Sequence, residues 1–238
     1  MSLALQTAME DAVIYDLATH SPRDLNAALQ TLPAGTSQTS WVVRNPRGAH
    51  ALAVGITAPV TVRLDGHVGY YAAGMNDGAT IIIAGNAGTG VAENMMAGLV
   101  RVQGDASQSA GATAHGGLLV IEGNAAARCG ISMKGGDIVV KGSVGHMSAF
   151  MAQSGNLVVC GDAGEALGDS LYEANLFVKG AVKSLGADCE VKEMTKDKLA
   201  ILTALLREAG SEEEPAGFTL YGSARRLYHF HVDNAGAY

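Results

Sequence analysis

The sequence predicts an all-β chain, a single-stranded right-handed parallel β-helix of about seven 19-residue coils with N-terminal and C-terminal helical caps. Three observations carry this expectation. A phrase of six residues, apolar at alternate positions and closing on glycine, occurs seven times, as TVRLDG, TIIIAG, LVRVQG, LLVIEG, DIVVKG, NLVVCG and NLFVKG. Its closing glycines, Gly66, Gly85, Gly104, Gly123, Gly142, Gly161 and Gly180, follow one another every 19 residues without a slip, as stacked copies of one structural unit require. A unit of 19 residues is also too short for a strand–helix–strand crossover, which needs about 30. It suits one coil of a solenoid, and seven coils at ~4.8 Å each give a rod roughly 34 Å long. The left-handed hexapeptide helix builds its coil from multiples of six, so the right-handed form is favoured.

The columns of the repeat define the unit. Four places before each glycine stand Val62, Ile81, Val100, Leu119, Ile138, Leu157 and Leu176; two places before stand Leu64, Ile83, Val102, Ile121, Val140, Val159 and Val178. This period of two marks a strand, and these two columns form its buried face. Seven places after the glycine only alanine or glycine occurs, with Gly111, Gly130 and Gly168 among them, and thirteen places after the same holds. Small residues at fixed offsets predict corners with unusual backbone angles or close approach between coils.

Residues 1–59 are expected to cap the first coil. Ser21 reads as a helix N-cap with Pro22 at the first helical position, Leu25, Ala28, Leu29 and Leu32 share a face, and Pro33 with Gly35 stops the helix. Trp41-Val42-Val43 and Ala51-Leu52-Ala53-Val54 read as strands around a turn at Asn45-Pro46-Arg47-Gly48. The β-helix itself spans 60–194. In the segment 195–238, Thr195 caps a helix to about Ala209 with Leu199, Leu202, Leu205 and Leu206 as its apolar stripe, and Gly210 ends it. Ser211 to Pro215 is a short linker, and the tail alternates again around Tyr228, Phe230 and Val232.

Bulk properties narrow the function. The net charge of -7, with no basic block, argues against nucleic acid. Charged residues make up 16 %, well under the usual ~25 %, a hint of contacts with other chains on so elongated a shape. Cys129, Cys160 and Cys189 lack metal-ligand spacing and suit a reducing cytoplasm. The N-terminal stretch lacks the pattern of a secretory signal, and no apolar run approaches the ~18 residues of a membrane span.

Candidate chemistry is sparse. Asp65, Asp105 and Asp162 lie on coil turns, where carbohydrate-active β-helices place acids, but in different columns or on distant coils. A groove-acting enzyme requires acids and bases aligned on neighbouring coils, and the sequence shows no such row. His229 and His231 flank Phe230 as an incomplete metal site. Gly85-Asn86-Ala87-Gly88 and Gly142-Ser143-Val144-Gly145 are repeat corners rather than phosphate loops, lacking a Lys-Ser/Thr ending. Met75, Met95, Met96, Met133 and Met151 read as gap fillers around the coils. No catalytic, cofactor or metal residue is assigned.

One column argues for contact. Three places before the glycine, pointing outward, stand Arg63, Ile82, Arg101, Val120, Val139, Val158 and Phe177. The last four make an apolar ridge that is rarely left in water. Two covers are open, a partner subunit or the chain's own Leu199–Leu206 helix, and the four residues are taken as the candidate interface.

The repeat, with corners such as Gly66-His67-Val68-Gly69, Gly85-Asn86-Ala87-Gly88 and Gly161-Asp162-Ala163-Gly164, resembles the GXGXG family over roughly residues 41–194, and Asp16-Leu17 through Asp24-Leu25-Asn26-Ala27 is similar to its lead-in. That family comprises the C-terminal β-helix domain of the glutamate synthase large subunit, the GXGXG chain of formylmethanofuran dehydrogenase, and stand-alone homologues. The stand-alone form is similar to the GXGXG subunit of N-methylglutamate synthase, a glutamate synthase-like complex of three chains that joins glutamate and methylamine. The resemblance implies a scaffold with no active site of its own, beside an amidotransferase-like subunit and an FMN-binding subunit. FMN and iron–sulfur centres then belong to those partners. Ser2, not cysteine, follows the initiator, so the nucleophile of that amidotransferase class is missing here. A formylmethanofuran dehydrogenase-like complex and an archaeal-type split glutamate synthase stay open as alternatives.

Overall fold

The structure is a computed structural model that describes residues 12–225. Its strands are β1 (Val13–Asp16), β2 (Ser40–Arg44), β3 (Thr61–Leu64), β4 (Asp77–Ile83), β5 (Ala97–Val102), β6 (Leu118–Ile121), β7 (Lys134–Val140), β8 (Ser154–Val159), β9 (Asn175–Val178), β10 (Cys189–Lys192) and β11 (Thr219–Ser223). They form one sheet in the order β1-β2-β3-β4-β5-β6-β7-β8-β9-β11-β10. From β1 to β9 every pairing is parallel, and successive strands of the repeat pair in the 19-residue register, Val62 with Ile81, Ile81 with Val100, and on to Leu157 with Leu176. A second line of parallel bridges runs Val68, Ala87, Ala106, Ala125, Val144, Ala163 and Val182 along another side of the rod. The architecture is the expected parallel β-solenoid.

Alternation decides what lies inside. The columns holding Val62 and Leu64 in the first coil are buried in every coil, and with Met95, Met133, Leu167 and Leu171 they fill the interior. The remaining methionines differ from the expectation of gap filling. Met75, Met96 and Met151 are 45 %, 48 % and 50 % exposed, so they stand half in solvent instead of filling the interior.

The glycines serve two separate purposes. Left-handed backbone recurs at the fifth, seventh and ninth places after the closing glycine, as at Tyr71, Ala73 and Met75 in one coil and Arg128, Gly130 and Ser132 in another. Each strained residue gains an inter-coil hydrogen bond. Arg128 N and Ser132 N donate to the coil ahead, at His146 O (2.9 Å) and Phe150 O (2.8 Å), while Gly130 N donates back to Ala110 O at 2.8 Å. A non-glycine residue in this conformation costs roughly 1–2 kcal/mol, which such a bond offsets, so alanine is accepted there at Ala73, Ala92 and Ala149.

The closing glycines answer to close approach instead. Those from Gly85 to Gly180 do not have left-handed φ. A Cβ on Gly142 would lie 2.5 Å from Asn124 Oδ1 and 2.7 Å from Gly123 O, and one on Gly161 2.6 Å from Ser143 Oγ. The crowding atoms belong to a ladder. From Gly66 to Gly161, the side chain that follows the closing glycine accepts the backbone N–H of its counterpart one coil on: His67 Nδ1 from Asn86, Asn86 Oδ1 from Asp105, Asp105 Oδ1 from Asn124, Asn124 Oδ1 from Ser143, Ser143 Oγ from Asp162, and Asp162 Oδ1 from Ala181, at 2.7–3.0 Å. Hydrogen remains at the closing position because any side chain there collides with the ladder.

Both ends are closed. Helix α1 (Pro22–Gln30) starts at the Ser21 cap, whose hydroxyl accepts Asp24 N–H, and it buries Leu25 and Leu29 on the first coil. Its polar side chains make the bonds a preceding coil would have made: Asn26 Nδ2 donates to Ala51 O at 2.6 Å and Gln30 Nε2 to Val54 O at 2.8 Å. The expected strand Ala51–Val54 is instead a corner. Ala51 and Ala53 are left-handed while Leu52 points inward, fully buried, as Ala72 is between Tyr71 and Ala73 one coil on. A corner that alternates in hand also points every second side chain inward, so its sequence imitates a strand. The Trp41–Val43 strand is β2, an added parallel rung on the solenoid. At the far end β11 pairs antiparallel with both β9 and β10, turning the sheet away from its growth direction. The expected alternation around Tyr228, Phe230 and Val232 lies outside the described residues.

The two uses of glycine predict different responses to one methyl group. Gly130→Ala, at a position where other coils carry alanine, should cost about 1 kcal/mol, a shift of ~2–4 °C in a chain of this size. Gly142→Ala should cost several times more, because backbone and ladder must both move. Thermal melting of the two variants checks this; equal shifts would contradict the separation.

Candidate functional site

The four ridge residues chosen as a candidate interface are not at the surface. Val120, Val139, Val158 and Phe177 are each 0 % exposed. Helix α2 (Lys196–Ala209) lies across them, and Leu202, Leu205, Leu206 and Ala209 join Phe218 and Leu220 in a second apolar core with the ridge. The helix is capped as its sequence dictates, Thr195 accepting Lys198 N–H and Gly210 ending it in the left-handed conformation with φ 65°. Three of the four stripe leucines meet the ridge while Leu199 stays 39 % exposed, so the chain covers its own strip and the ridge offers a partner nothing. This corrects the interface expectation.

Polar groups gather where α2 ends. Glu122 stands between two cations from neighbouring coils, Arg101 and Lys141, in ion pairs with both, the second at 2.7 Å. Arg101 also donates to Ala209 O at 3.0 Å and Lys141 to Gly210 O at 2.9 Å. The two cations therefore neutralise the partial negative charge of the helix C-terminus and satisfy its last carbonyls. Burial works to raise the Glu122 carboxyl, but the hydrogen bonds from Lys141 and Arg101 outweigh it and hold the group below the usual carboxylate range. A cleft of about 680 Å³ opens beside this cluster, over Ile82 and Leu99 and under Glu208. The cluster locks the helix end to the solenoid; both cations are already engaged with protein acceptors.

Acids elsewhere are also structural. Asp105 and Asp162, named as groove acids, share one column after all, three coils apart, and both are ladder acceptors. Asp65 pairs with Arg63 at 2.5 Å. Asp137 heads a second ladder, accepting from Asn156, which accepts from Asn175. Desolvation raises the Asp137 carboxyl, and Glu208 on the covering helix adds to the rise, against the opposing hydrogen bond from Asn156. The thiols are poor nucleophiles: burial pushes Cys129 up to about 12 and Cys189 to about 11, and raises Cys160 as well. Among the described residues no group of three or more His, Cys, Asp or Glu side chains is placed to hold a metal ion, and no helix is long and apolar enough to cross a membrane. His229 and His231 lie outside the described residues. Sequence reading missed both ladders and the Glu122 cluster, although writing the chain in rows of 19 aligns the members of each ladder and sets Glu122 over Lys141, with Arg101 two columns away.

These features define a class: a β-solenoid plated on one face by its own helix, with its regular polar columns spent on holding coils together. No family model matches the sequence. The chain is similar to Protein GlxC of Rhizobium meliloti (strain 1021), 64 % identical over 226 residues that span 94 % of this chain and 99 % of that protein. It belongs to the GlxC family.

The helix-covered ridge makes a direct prediction. Val158→Lys places an ammonium under Leu202 and Leu206 and should lower the stability of the isolated chain by about 3 kcal/mol or more. A thermal melt unchanged from wild type would show that α2 does not cover the ridge.

Proposed function

We propose that this chain is a non-catalytic scaffold subunit of a glutamate synthase-like complex, and that the complex is N-methylglutamate synthase, a methylamine–glutamate N-methyltransferase of the cytoplasm. In this reading it holds together an amidotransferase-like subunit and an FMN-containing subunit, which carry the chemistry. The observation behind it is the 19-residue repeat with G-x-x-G corners, the feature that resembles the β-helix domain of glutamate synthase. The use of Asp105, Asp162, Asn86 and Asn124 as coil-to-coil acceptors supports it, since these are the most regular polar groups on the rod and each has an architectural task. A rigid solenoid with two closed ends suits a part that sets the spacing between other chains.

Affinity capture of the tagged chain from its own cells, followed by mass spectrometry, tests the proposal. The expected companions are one chain with an amidotransferase N-terminal nucleophile and one that carries FMN. The captured assembly should form N-methylglutamate from glutamate and methylamine, whereas the isolated chain should neither do so nor hydrolyse glutamine. Capture of a molybdenum- or tungsten-containing chain would move the assignment to a formylmethanofuran dehydrogenase-like complex. Activity from the isolated chain would overturn the scaffold reading.

A further inference from the structure

Four large apolar side chains stand in solvent on one edge of the rod, in a repeating arrangement that folding does not explain. Met75 and Met151 occupy the ninth place after the closing glycine of their coils and are 45 % and 50 % exposed. Met96 and Tyr172 occupy the eleventh place and are 48 % and 43 % exposed. Met96 N donates to the carbonyl of Asn76, next to Met75, and Tyr172 N to that of Ala152, next to Met151, both at 2.8 Å. Each methionine of the ninth column thus has a large neighbour on the following coil, in the same diagonal geometry. The two diagonal pairs lie four coils apart, roughly 19 Å along the rod.

The ninth place is left-handed, with φ 53° at Met75 and 54° at Met151, and the other coils fill it with Asn94, Thr113, Ser132 and Ser170. A short polar residue suits that backbone and faces water without cost; a methionine does neither. Between the two pairs, the ninth and eleventh columns carry only one formal charge, Lys134. Large, adaptable apolar side chains with few charges between them have the composition of a protein contact.

We propose that this edge is the contact between two copies of the chain, packed antiparallel about a two-fold axis that passes between the coils of His115 and Lys134. That operation sets the coil of Met75 level with the partner's coil of Tyr172, and the coil of Met96 level with that of Met151. The two diagonals then cross and interleave into a four-residue apolar cluster. The symmetry produces the cluster twice, once at each end, as a self-complementary closed dimer requires. It also sets the Tyr172 hydroxyl opposite Asp77, an exposed carboxylate at the eleventh place of its own coil. A parallel pairing leaves each methionine pair facing its own copy, with no interleaving. A staggered, translated pairing leaves one cluster unused and extends without end.

Sedimentation equilibrium on the purified full chain tests the proposal. Wild type should be a dimer, and Met151→Glu should raise its dissociation constant at least ten-fold while melting like a folded chain, since the side chain is half exposed. Met75→Glu, at the other end of the rod, should weaken it equally because it enters the same cluster from the other copy. In a Cys189→Ser background, a short bis-maleimide cross-linker, which adds one cysteine thiol at each end, should join M75C chains to M151C chains in a mixture. A monomeric wild type, an undisturbed dimer in both Glu variants, or cross-linking of M75C chains to themselves would overturn the proposal.

Discussion

The structure depends on a constraint of spacing: one closing glycine and one hydrogen-bonding side chain every 19 residues. The side chain after the glycine reaches forward and takes a backbone N–H of the next coil, and the glycine of that coil leaves room for it. Inserting or deleting one residue in a coil would put a Cβ where the acceptor oxygen lies and turn the alternating strand face inside out. Parallel pairing of β3 to β9, the line of bridges through Ala87 and Ala106, and the left-handed corners all inherit their register from that spacing. A parallel stack has no hairpin turns to fix its register, so side-chain ladders and matched corner bonds carry that task.

The helix α2 depends on the same register. Only because Val120, Val139, Val158 and Phe177 fall at one level of consecutive coils do they form a strip that an amphipathic helix can cover. The strip ends at Arg101, where apolar residues give way to a cation, and there the helix ends too, with Arg101 and Lys141 on its terminal carbonyls. Covering the ridge from within the chain leaves the low charge content unexplained by that face. Among the described residues, exposed large apolar side chains include Met75, Met96 and Met151 on the left-handed edge, and Ile14, Tyr70, Val191 and Leu199 elsewhere.

Much of this was legible in the sequence, for a physical reason. A repeat of 19 with alternating apolar residues admits few architectures, and Ser21, Pro22, Thr195 and Gly210 mark helix ends through local hydrogen bonding and backbone preference. Other features were hidden. The segment Ala51–Val54 imitates a strand, because a corner of alternating hand also sends every second side chain inward. The candidate interface failed because exposure of Val158 is decided by a helix about forty residues later, whose docking no local pattern reveals. Asp105 and Asp162 looked like isolated acids because their ladder neighbours are asparagine and serine, a column united by acceptor geometry rather than by charge.

The ladder can be measured directly by native-state hydrogen exchange at the backbone amides of Asn86, Asp105, Asn124, Ser143 and Asp162. All five belong to corner residues beside solvent, where an unpaired amide would exchange freely. If the ladder fixes the register, all five exchange only through opening of the solenoid, with protection equal to that of the strand amides of Val100 and Ile138. Rapid exchange at these five amides, with the strands still protected, would contradict the account, because the coils would then be held in register without the side chains after the closing glycines.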